Sequence, residues 1–241
     1  MARRVLLKLS GEALMGAGQF GIDPEALSAY ATQIAQAQSQ GVEVGVVVGG
    51  GNIFRGVQGS TTGMDRATAD TMGMMATVMN ALALTDALKA SGARVSSFCS
   101  LEMPRVMQLF THRDARAALE RGEVCVFAGG TGSPFFTTDT GAALKAAELD
   151  ADEVLKATQV DGVYDADPRV NSSARRYAQL SHADCLSQGL QVMDSAAFSL
   201  CQASSLSIRI FNLHQEGALI AALLGEPLGT VVGPQLEARF A

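Results

Sequence analysis

Residues 42–56 read Val-Glu-Val-Gly-Val-Val-Val-Gly-Gly-Gly-Asn-Ile-Phe-Arg-Gly, a β-branched apolar run that ends at three consecutive glycines. The valines predict a strand that is buried on both faces, as in a parallel sheet. Because glycine has no Cβ, the loop after this strand can bring several backbone N–H groups close to one anion. Arg55 follows within reach, and a guanidinium can bind phosphate oxygens through two parallel hydrogen bonds. The whole unit therefore favours a phosphate site over a flexible turn with a surface arginine.

The composition is that of a chain with a full core and few charges. Of the 241 residues, 48% are hydrophobic and 17% are charged, and the formal net charge is −6. A basic surface for nucleic acid is therefore not expected, and no run of about 18 apolar residues predicts a membrane span. The four cysteines lie far apart and the three histidines are scattered. This spacing favours inert thiols in a reducing cytoplasm over a structural zinc site.

Strand and helix patterns alternate along the whole chain. They predict strands over 5–9, 42–48, 94–98, 124–127, 153–157, 208–211 and 230–232, and helices over 24–39, 65–91, 112–122, 140–149, 181–189, 196–205 and 214–224. Residues 171–176 have the composition of a short linker. The alternation predicts one α/β domain, residues 1–241, folded as a three-layer αβα sandwich on a largely parallel central sheet. Ligands bind such sheets at the carboxyl ends of strands, where the loops after Leu9, Val48 and Phe127 would meet and could bind several phosphates.

Residues 16–21, Gly-Ala-Gly-Gln-Phe-Gly, match the GxGxxG spacing of dinucleotide-binding loops. That motif must leave a strand and open a helix directly. Here Asp23 and Pro24 instead supply the N-cap and the first position of the next helix. The glycine string therefore does not predict a dinucleotide site.

A second glycine-rich loop spans residues 128–139, Ala-Gly-Gly-Thr-Gly-Ser-Pro-Phe-Phe-Thr-Thr-Asp. Thr137, Thr138 and Asp139 are natural N-cap residues for the helix that follows. The N-terminus of that helix would face an anion at the same edge of the sheet. The alternative is a long capped connection without a ligand.

A third loop, residues 158–168, carries Thr158, Asp161, Tyr164 and Asp167. Acid-rich turns are commonly only solvated, so the loop alone predicts no ligand. Lys8 at the end of the first strand has two readings, because it can reach a loop-bound ligand or face water. Phosphoryl transfer needs positioning, cations and Mg²⁺ rather than covalent chemistry, and Lys8 and Arg55 could supply the cations. The chain has neither a Walker A loop nor a Gly-x-Ser-x-Gly elbow.

Four stretches, residues 8–14, 48–56, 130–139 and 155–164, resemble the bacterial uridylate kinases of the amino-acid kinase family. The match is collinear from residue 5 to residue 232. This resemblance implies the amino-acid kinase fold and the reaction of MgATP with UMP to give ADP and UDP, in pyrimidine nucleotide biosynthesis. It implies that the N-terminal part binds UMP and that residues from about 150 to 241 bind ATP. Mg²⁺ enters with ATP, and no separate protein metal site is expected.

The resemblance also assigns roles to individual residues. The catalytic set is Lys8, Arg55, Asp139 and Asp194. The ATP-binding set is Lys8, Leu9, Ser10, Gly11, Gly51, Arg55, Thr158, Tyr164 and Asp167. The UMP-binding set is Gly50, Asp70, Thr131, Gly132, Ser133, Pro134, Phe135, Phe136, Thr137 and Thr138.

Regulation and assembly are further implications of the resemblance. It implies a homohexamer that UTP inhibits and, in some lineages, GTP activates. The GTP site maps partly onto Gly16, Ala17, Gly18, Gln19, Phe20 and Gly21. The methionine-rich helix predicted over 65–91 is expected at a subunit interface. Ser133 and Gln159 depart from the family pattern, which has asparagine and commonly lysine there, so altered affinities are expected rather than an altered reaction.

Two other functions remain open from the sequence. One is an amino-acid kinase that acts on a carboxylate or a carbamate, and residues 131–139 distinguish it from a uridylate kinase. The other is a sensor that binds UTP or UMP without turnover. Lys8 and Arg55 favour an enzyme over the sensor.

Overall fold

One sheet of ten strands forms the centre of the computed structural model, which describes residues 2–54, 63–168 and 170–241. The strands are β1 (Arg4–Leu9), β2 (Glu43–Val48), β3 (Val95–Cys99), β4 (Gln108–Leu109), β5 (Val124–Ala128), β6 (Glu153–Thr158), β7 (Tyr177–Ser181), β8 (Ser207–Asn212), β9 (Thr230–Gly233) and β10 (Arg239–Phe240). Their order across the sheet is β10-β7-β9-β8-β6-β1-β2-β5-β3-β4. Only the pairs β8–β9 and β7–β10 are antiparallel in this part of the chain. The predicted largely parallel sheet is therefore confirmed.

Helices cover both faces of the sheet. The described helices are α1 (Pro24–Ser39), α2 (Arg66–Ala90), α3 (His112–Glu120), α4 (Thr138–Glu148), α5 (His182–Ser187), α6 (Ser195–Ala203) and α7 (Ala218–Leu224), with a 3₁₀ turn at Gly11–Met15. Buried side chains of α1, α2 and α7 belong to one core, and those of α3 to α6 belong to a second core on the opposite face. The two cores confirm the predicted α/β class and its three-layer αβα arrangement.

The central strand β1 positions the first residue of the site. Its side chains alternate between the two faces, so Val5 and Leu7 lie in the α1 core whereas Leu6 lies in the α4 core. Lys8 follows Leu6 by two residues and points to the same side. A charged side chain in that position needs a partner, and α4 provides one.

Capping residues mark two helix starts, of which the first was predicted correctly. The Asp23 side chain accepts a hydrogen bond from the Ala26 N–H, and Pro24 occupies the first position of α1. The Thr137 side chain caps α4 by accepting from the N–H groups of Asp139 and Thr140. Thr137 is therefore the cap among the three candidates in that loop, and the helix begins two residues earlier than predicted.

The structure differs from the prediction at one short strand, β4, and in the last third of the chain. Strands β4, β7 and β10 were not predicted, and the expected linker over 171–176 leads directly into β7. The ring of Tyr177 stacks on Phe240 with centroids 4.4 Å apart, so this pairing depends on residues far apart in sequence. The helix predicted from residue 214 begins only at Ala218, because Gly217 adopts a left-handed φ of 72° before it. None of the helices in the described ranges has both the length and the apolar character that a bilayer crossing requires.

Candidate active site

Two lysines and one aspartate meet at the carboxyl ends of the central strands. Lys8 in β1 and Lys156 in β6 are paired in register on neighbouring parallel strands. Asp139, in the first turn of α4, lies between their ammonium groups. Its Oδ1 is 3.0 Å from the Lys8 Nζ and its Oδ2 is 2.7 Å from the Lys156 Nζ. The Lys156 ammonium also donates to the carbonyl oxygen of Val192 at 2.7 Å. The alternative of a water-facing Lys8 is excluded, because its side chain is only 14% exposed.

The charge of Asp139 follows from this environment. Burial by itself acts to raise the pKa of the carboxyl group, because a buried carboxylate loses hydration. The two ammonium groups act in the opposite direction, and together they bring the pKa of Asp139 below its usual value of 3.8. Asp139 is therefore ionised at neutral pH and holds one negative charge between two positive charges.

Asp194 lies on the other side of the same helix start. It is the N-cap of α6, and its Oδ1 accepts from the Ala197 N–H at 2.9 Å. The same carboxylate accepts hydrogen bonds from the hydroxyls of Thr137 and Thr140, the second at 3.1 Å. Asp194 thus connects α6 to the first turn of α4, which carries Asp139.

The three glycines after β2 have different environments. A Cβ on Gly50 would lie 2.7 Å from the Gly73 carbonyl oxygen and 2.8 Å from the Ala76 Cβ, so α2 packs directly against this residue. A Cβ on Gly51 would meet nothing within 4 Å. Gly11, in the turn after β1, also needs to lack a side chain, because its Cβ would lie 2.5 Å from the Asn52 Oδ1. The glycine loop therefore packs closely against α2 at Gly50 and against the turn after β1 at Gly11, whereas a side chain at Gly51 would enter open space.

A buried pair of amides holds this loop. Asn52 and Asn80 are 1% and 0% exposed and exchange two hydrogen bonds, at 3.0 and 2.6 Å. The second N–H of Asn80 donates to the Gly49 carbonyl at 2.7 Å, and that of Asn52 donates to the Gly21 carbonyl at 2.8 Å. The pair therefore joins the glycine loop to α2 and to the end of the 16–21 segment.

A cleft with about 820 Å³ of space, including its open mouth, lies between the glycine loop, α2 and the loop before α4. The predicted UMP-binding residues that line it are Gly50, Asp70, Thr131, Ser133, Phe136, Thr137 and Thr138. Gly132, Pro134 and Phe135 are not among the lining residues, and the Phe135 side chain points outward with 67% exposure. Gly51, which was assigned to ATP, also lines this cleft, as do Arg66, Met74 and Thr77, which were not predicted. We call this space the acceptor cleft.

Two further clefts share Lys156 and Thr158 among their lining residues. The first is also lined by Lys8, Ser10, Gly16 and Gly18. The second is lined by Tyr164, Asp167 and residues 189–192. We call them together the donor clefts.

Other predicted ATP-binding residues are buried or already hydrogen-bonded within the protein. The side chain of Leu9 is fully buried in the α1 core, so only its backbone could contact a ligand. Gly11 is also buried. In the loop after β6, the Tyr164 hydroxyl donates to the Asp161 Oδ1 at 2.8 Å. Arg55, which the resemblance assigned to the catalytic and ATP-binding sets, lies outside the described residues. Within the described ranges, no three carboxylate, histidine or cysteine side chains converge on a metal position.

Among the residues to which the sequence interpretation gave no role, Lys156, Asn80 and Arg66 make the contacts described above. Lys156 carried a signal, since a lysine inside a predicted buried strand is unusual, but its contact with Asp139 depends on strand register. Asn80 carried a similar signal as an amide in an apolar helix segment. Arg66 belongs to the stretch Met64-Asp65-Arg66, which together with Asp70 matches the family at the UMP side, but its contacts with Asp70 and Phe135 were not predicted.

Known proteins of one family resemble this chain over nearly its full length. Residues 3–212 match the model of the amino acid kinase family. A uridylate kinase of Xanthomonas campestris pv. campestris is 52% identical over 230 residues, which cover 95% of this chain and 96% of that protein. A UMP kinase structure from Bacillus anthracis has a TM-score of 0.94 at 35% identity, covering 99% of this chain and 98% of that one. A uridylate kinase structure from Archaeoglobus fulgidus has a TM-score of 0.73 at 30% identity, covering 95% and 99%. The resemblance found in the sequence is confirmed, and the chain belongs to the amino acid kinase family.

Proposed function

We propose that this chain transfers the terminal phosphoryl group of MgATP to UMP, giving UDP and ADP, as a step of pyrimidine nucleotide biosynthesis. The observation that carries the proposal is the contact of Lys8 and Lys156 with the carboxylate of Asp139. Thr137 and Thr138, just before Asp139, line the acceptor cleft, and the two lysines line the donor clefts. The uridylate kinase relatives supply the identity of the acceptor.

The chemistry that this geometry supports is positioning and charge stabilisation. A transferring phosphoryl group carries negative charge on its oxygens, and fixed cations lower the barrier without covalent catalysis. Lys8 and Lys156 are two such cations, and Asp139 holds them at a fixed separation. Arg55 would add a third cation by the family match. Asp194 orients the first turn of α4 through Thr137 and Thr140 and acts through these residues.

The acceptor cleft fits a nucleoside monophosphate. Gly50 and Gly51 would present backbone N–H groups to its phosphate, as a glycine loop does for an anion. Asp70 and the hydroxyl-rich residues 131–138 would bind the uridine. The open space beside Gly51 leaves room for a phosphate to approach the backbone.

The donor clefts fit ATP. Lys8, the Ser10 hydroxyl and the backbone of Leu9 and Gly11 would contact its phosphates. Thr158, Tyr164 and Asp167 would bind the adenosine, which places ATP on residues from about 150 to 241. Mg²⁺ is part of the MgATP substrate in this proposal, since Asp139 and Asp194 already bind lysines, hydroxyls and a backbone N–H.

Assembly and regulation complete the proposal. A homohexamer in the cytoplasm, inhibition by UTP and activation by GTP all come from the family resemblance. Gly16 and Gly18 line the donor cleft that contains Lys8, which supports an influence of residues 16–21 on the site. The methionine-rich face of α2 supports a subunit interface.

A coupled assay of ADP formation tests the reaction. The acceptors are UMP, CMP, dUMP and a set of carboxylates, each with MgATP. We expect rapid ADP formation with UMP. ADP formation with a carboxylate acceptor and not with UMP would indicate another amino-acid kinase activity. Binding of UMP without ADP formation would indicate a sensor.

A further inference from the structure

Arg66, Asp70 and Phe135 form a chain of contacts at one wall of the acceptor cleft. The Arg66 Nε donates to both oxygens of Asp70, at 2.9 and 2.8 Å. The Asp70 Oδ2 also accepts the backbone N–H of Phe135 at 2.8 Å. The guanidinium carbon of Arg66 lies 5.9 Å from the centre of the Phe135 ring. Two adjacent turns of α2 thus contact the loop that precedes α4.

The loop that precedes α4 is held by hydrogen bonds at both ends. At its start, the Ser100 hydroxyl donates to the Gly130 carbonyl at 2.9 Å. At its end, Thr137 caps α4 and binds Asp194. Between these two ends, the contact with Asp70 is the hydrogen bond that joins residues 133–136 to α2 in the described structure. The position of the middle of the loop therefore depends on Asp70.

The backbone of Phe135 makes that dependence stronger. Its φ of 71° lies in the left-handed region, where a residue with a side chain has a cost of about 1 kcal/mol or more. Its ring is 67% exposed, so burial of the ring contributes little to holding this conformation. The N–H bond to Asp70 and the contact with Arg66 are the interactions that hold it.

We propose that Arg66 is a positioning residue of the acceptor site, which fixes the Asp70 carboxylate and through it the loop that contacts the nucleoside. The inference rests on the proposed function, because it assigns Arg66 to the binding of the phosphoryl acceptor. Arg66 acts through Asp70, so its loss should weaken acceptor binding and leave the donor side unchanged. Ser133 and Phe136 of this loop line the acceptor cleft, whereas Lys8 and Lys156 line the donor clefts.

An ordinary helix-surface ion pair is the simplest alternative. Pairs four residues apart on an exposed helix have small effects on stability and none on ligand binding. This pair differs because Asp70 is only 14% exposed and receives a donor from a second segment. A surface pair predicts no change in acceptor KM when Arg66 is replaced.

The test compares Arg66→Ala and Arg66→Lys with Arg113→Ala. Arg113 is an exposed arginine in the first turn of α3 and serves as the matched control. For Arg66→Ala we expect the KM for UMP to rise about tenfold, the size expected for one charge-assisted hydrogen bond. The kcat and the KM for ATP should remain within about twofold of the unchanged enzyme. Arg66→Lys keeps the charge without the fixed planar geometry, so it should recover part of the loss.

Amide exchange in the ligand-free protein gives an independent readout. The Phe135 N–H should exchange faster in Arg66→Ala than in the unchanged protein or in Arg113→Ala. A raised KM with unchanged exchange would mean that Arg66 contacts the acceptor directly, which overturns the positioning role. Unchanged KM and unchanged exchange would overturn it as well. If the unchanged protein forms no ADP with UMP, the proposed function fails, and the exchange rates still decide whether Arg66 holds the loop.

Discussion

Lys8 and Lys156 lie side by side on neighbouring parallel strands and bind opposite oxygens of one carboxylate, that of Asp139. Two ammonium groups this close repel each other, and the aspartate between them offsets that repulsion before any substrate is bound. All three side chains are at most 16% exposed, so solvent screens these interactions only partly. The site therefore has its cations in place before ATP arrives, which is the preorganisation that electrostatic catalysis requires.

The first prediction concerns Lys8. Lys8→Ala should reduce kcat by about 10²–10³-fold, the usual effect of removing one group that stabilises transition-state charge. The fold should persist, because the side chain belongs to neither apolar core. Steady-state kinetics with UMP and MgATP measure the effect. Lys89→Ala, at an exposed lysine in the last turn of α2, is the control. A folded Lys8→Ala protein with nearly unchanged kcat would contradict the role.

The second prediction concerns the pH dependence of Asp139. Its lowered pKa means that the stabilisation from the ion triad is complete above the unfolded value of 3.8 and is lost as the pH falls through the lower folded value. Asp139→Asn removes the charge and should reduce the free energy of unfolding by roughly 3 kcal/mol at neutral pH. The difference between the two proteins should shrink only below about pH 4. Denaturant unfolding measured across this range provides the check, and a difference independent of pH would contradict the prediction.

The third prediction separates two adjacent glycines. Gly50→Ala would place a methyl group 2.7 Å from the Gly73 carbonyl and 2.8 Å from the Ala76 Cβ, and both atoms belong to α2. We expect the free energy of unfolding to fall by about 1–3 kcal/mol, as for other overpacked sites. Gly51→Ala meets nothing within 4 Å and should change stability by less than about 0.5 kcal/mol. Equal losses in the two variants, measured by denaturant unfolding, would show that α2 does not constrain the loop.

The fourth prediction concerns assembly through α2. Met72, Met75, Met79 and Leu82 are 40–54% exposed and follow each other at helical spacing on one face. Such an apolar stripe favours a second copy of the chain as its partner. Met79→Glu should shift the protein toward smaller species in light scattering at micromolar concentration. Leu186→Glu, at an exposed leucine of α5, is the control. A monomer in the unchanged protein would contradict the expected oligomer.

The elements that could be predicted from the sequence are those whose limits are marked by neighbouring residues in the chain. Asp23 and Pro24 mark the start of α1 as its N-cap and its first residue. Strand β2 ends where its valines are followed by glycines, which weaken a strand. The residues that escaped prediction depend on contacts between distant segments. Lys156 meets Asp139 only because β6 pairs with β1 in that register. Asp70 was assigned to the UMP-binding set by the resemblance, but its contact with Phe135 was not predicted, because it depends on a loop 65 residues away.

The fifth prediction concerns the choice of acceptor. Uracil and cytosine exchange donor and acceptor roles at position 4 and at N3, so a site matched to one base leaves polar groups unpaired with the other. The hydroxyls that line the acceptor cleft already have fixed orientations, since Thr131 bonds to the Ser133 carbonyl and Thr137 bonds to Asp194. A fixed polar site discriminates strongly, by about 10⁴-fold or more where a buried group is left unpaired.

We therefore expect kcat/KM for UMP to exceed that for CMP by a factor of this order, reduced somewhat by the short side chain of Ser133. Parallel measurements of kcat/KM for both nucleotides with saturating MgATP test the expectation. Ser133→Asn restores the residue type of the family pattern and should keep or increase the preference, because a longer amide can add a hydrogen bond to the base edge. Ser173→Asn, at an exposed serine outside the clefts, is the matched control. Comparable kcat/KM values for CMP and UMP would mean that residues 131–138 do not distinguish the pyrimidine edge, and the protein would then act as a broader nucleoside monophosphate kinase.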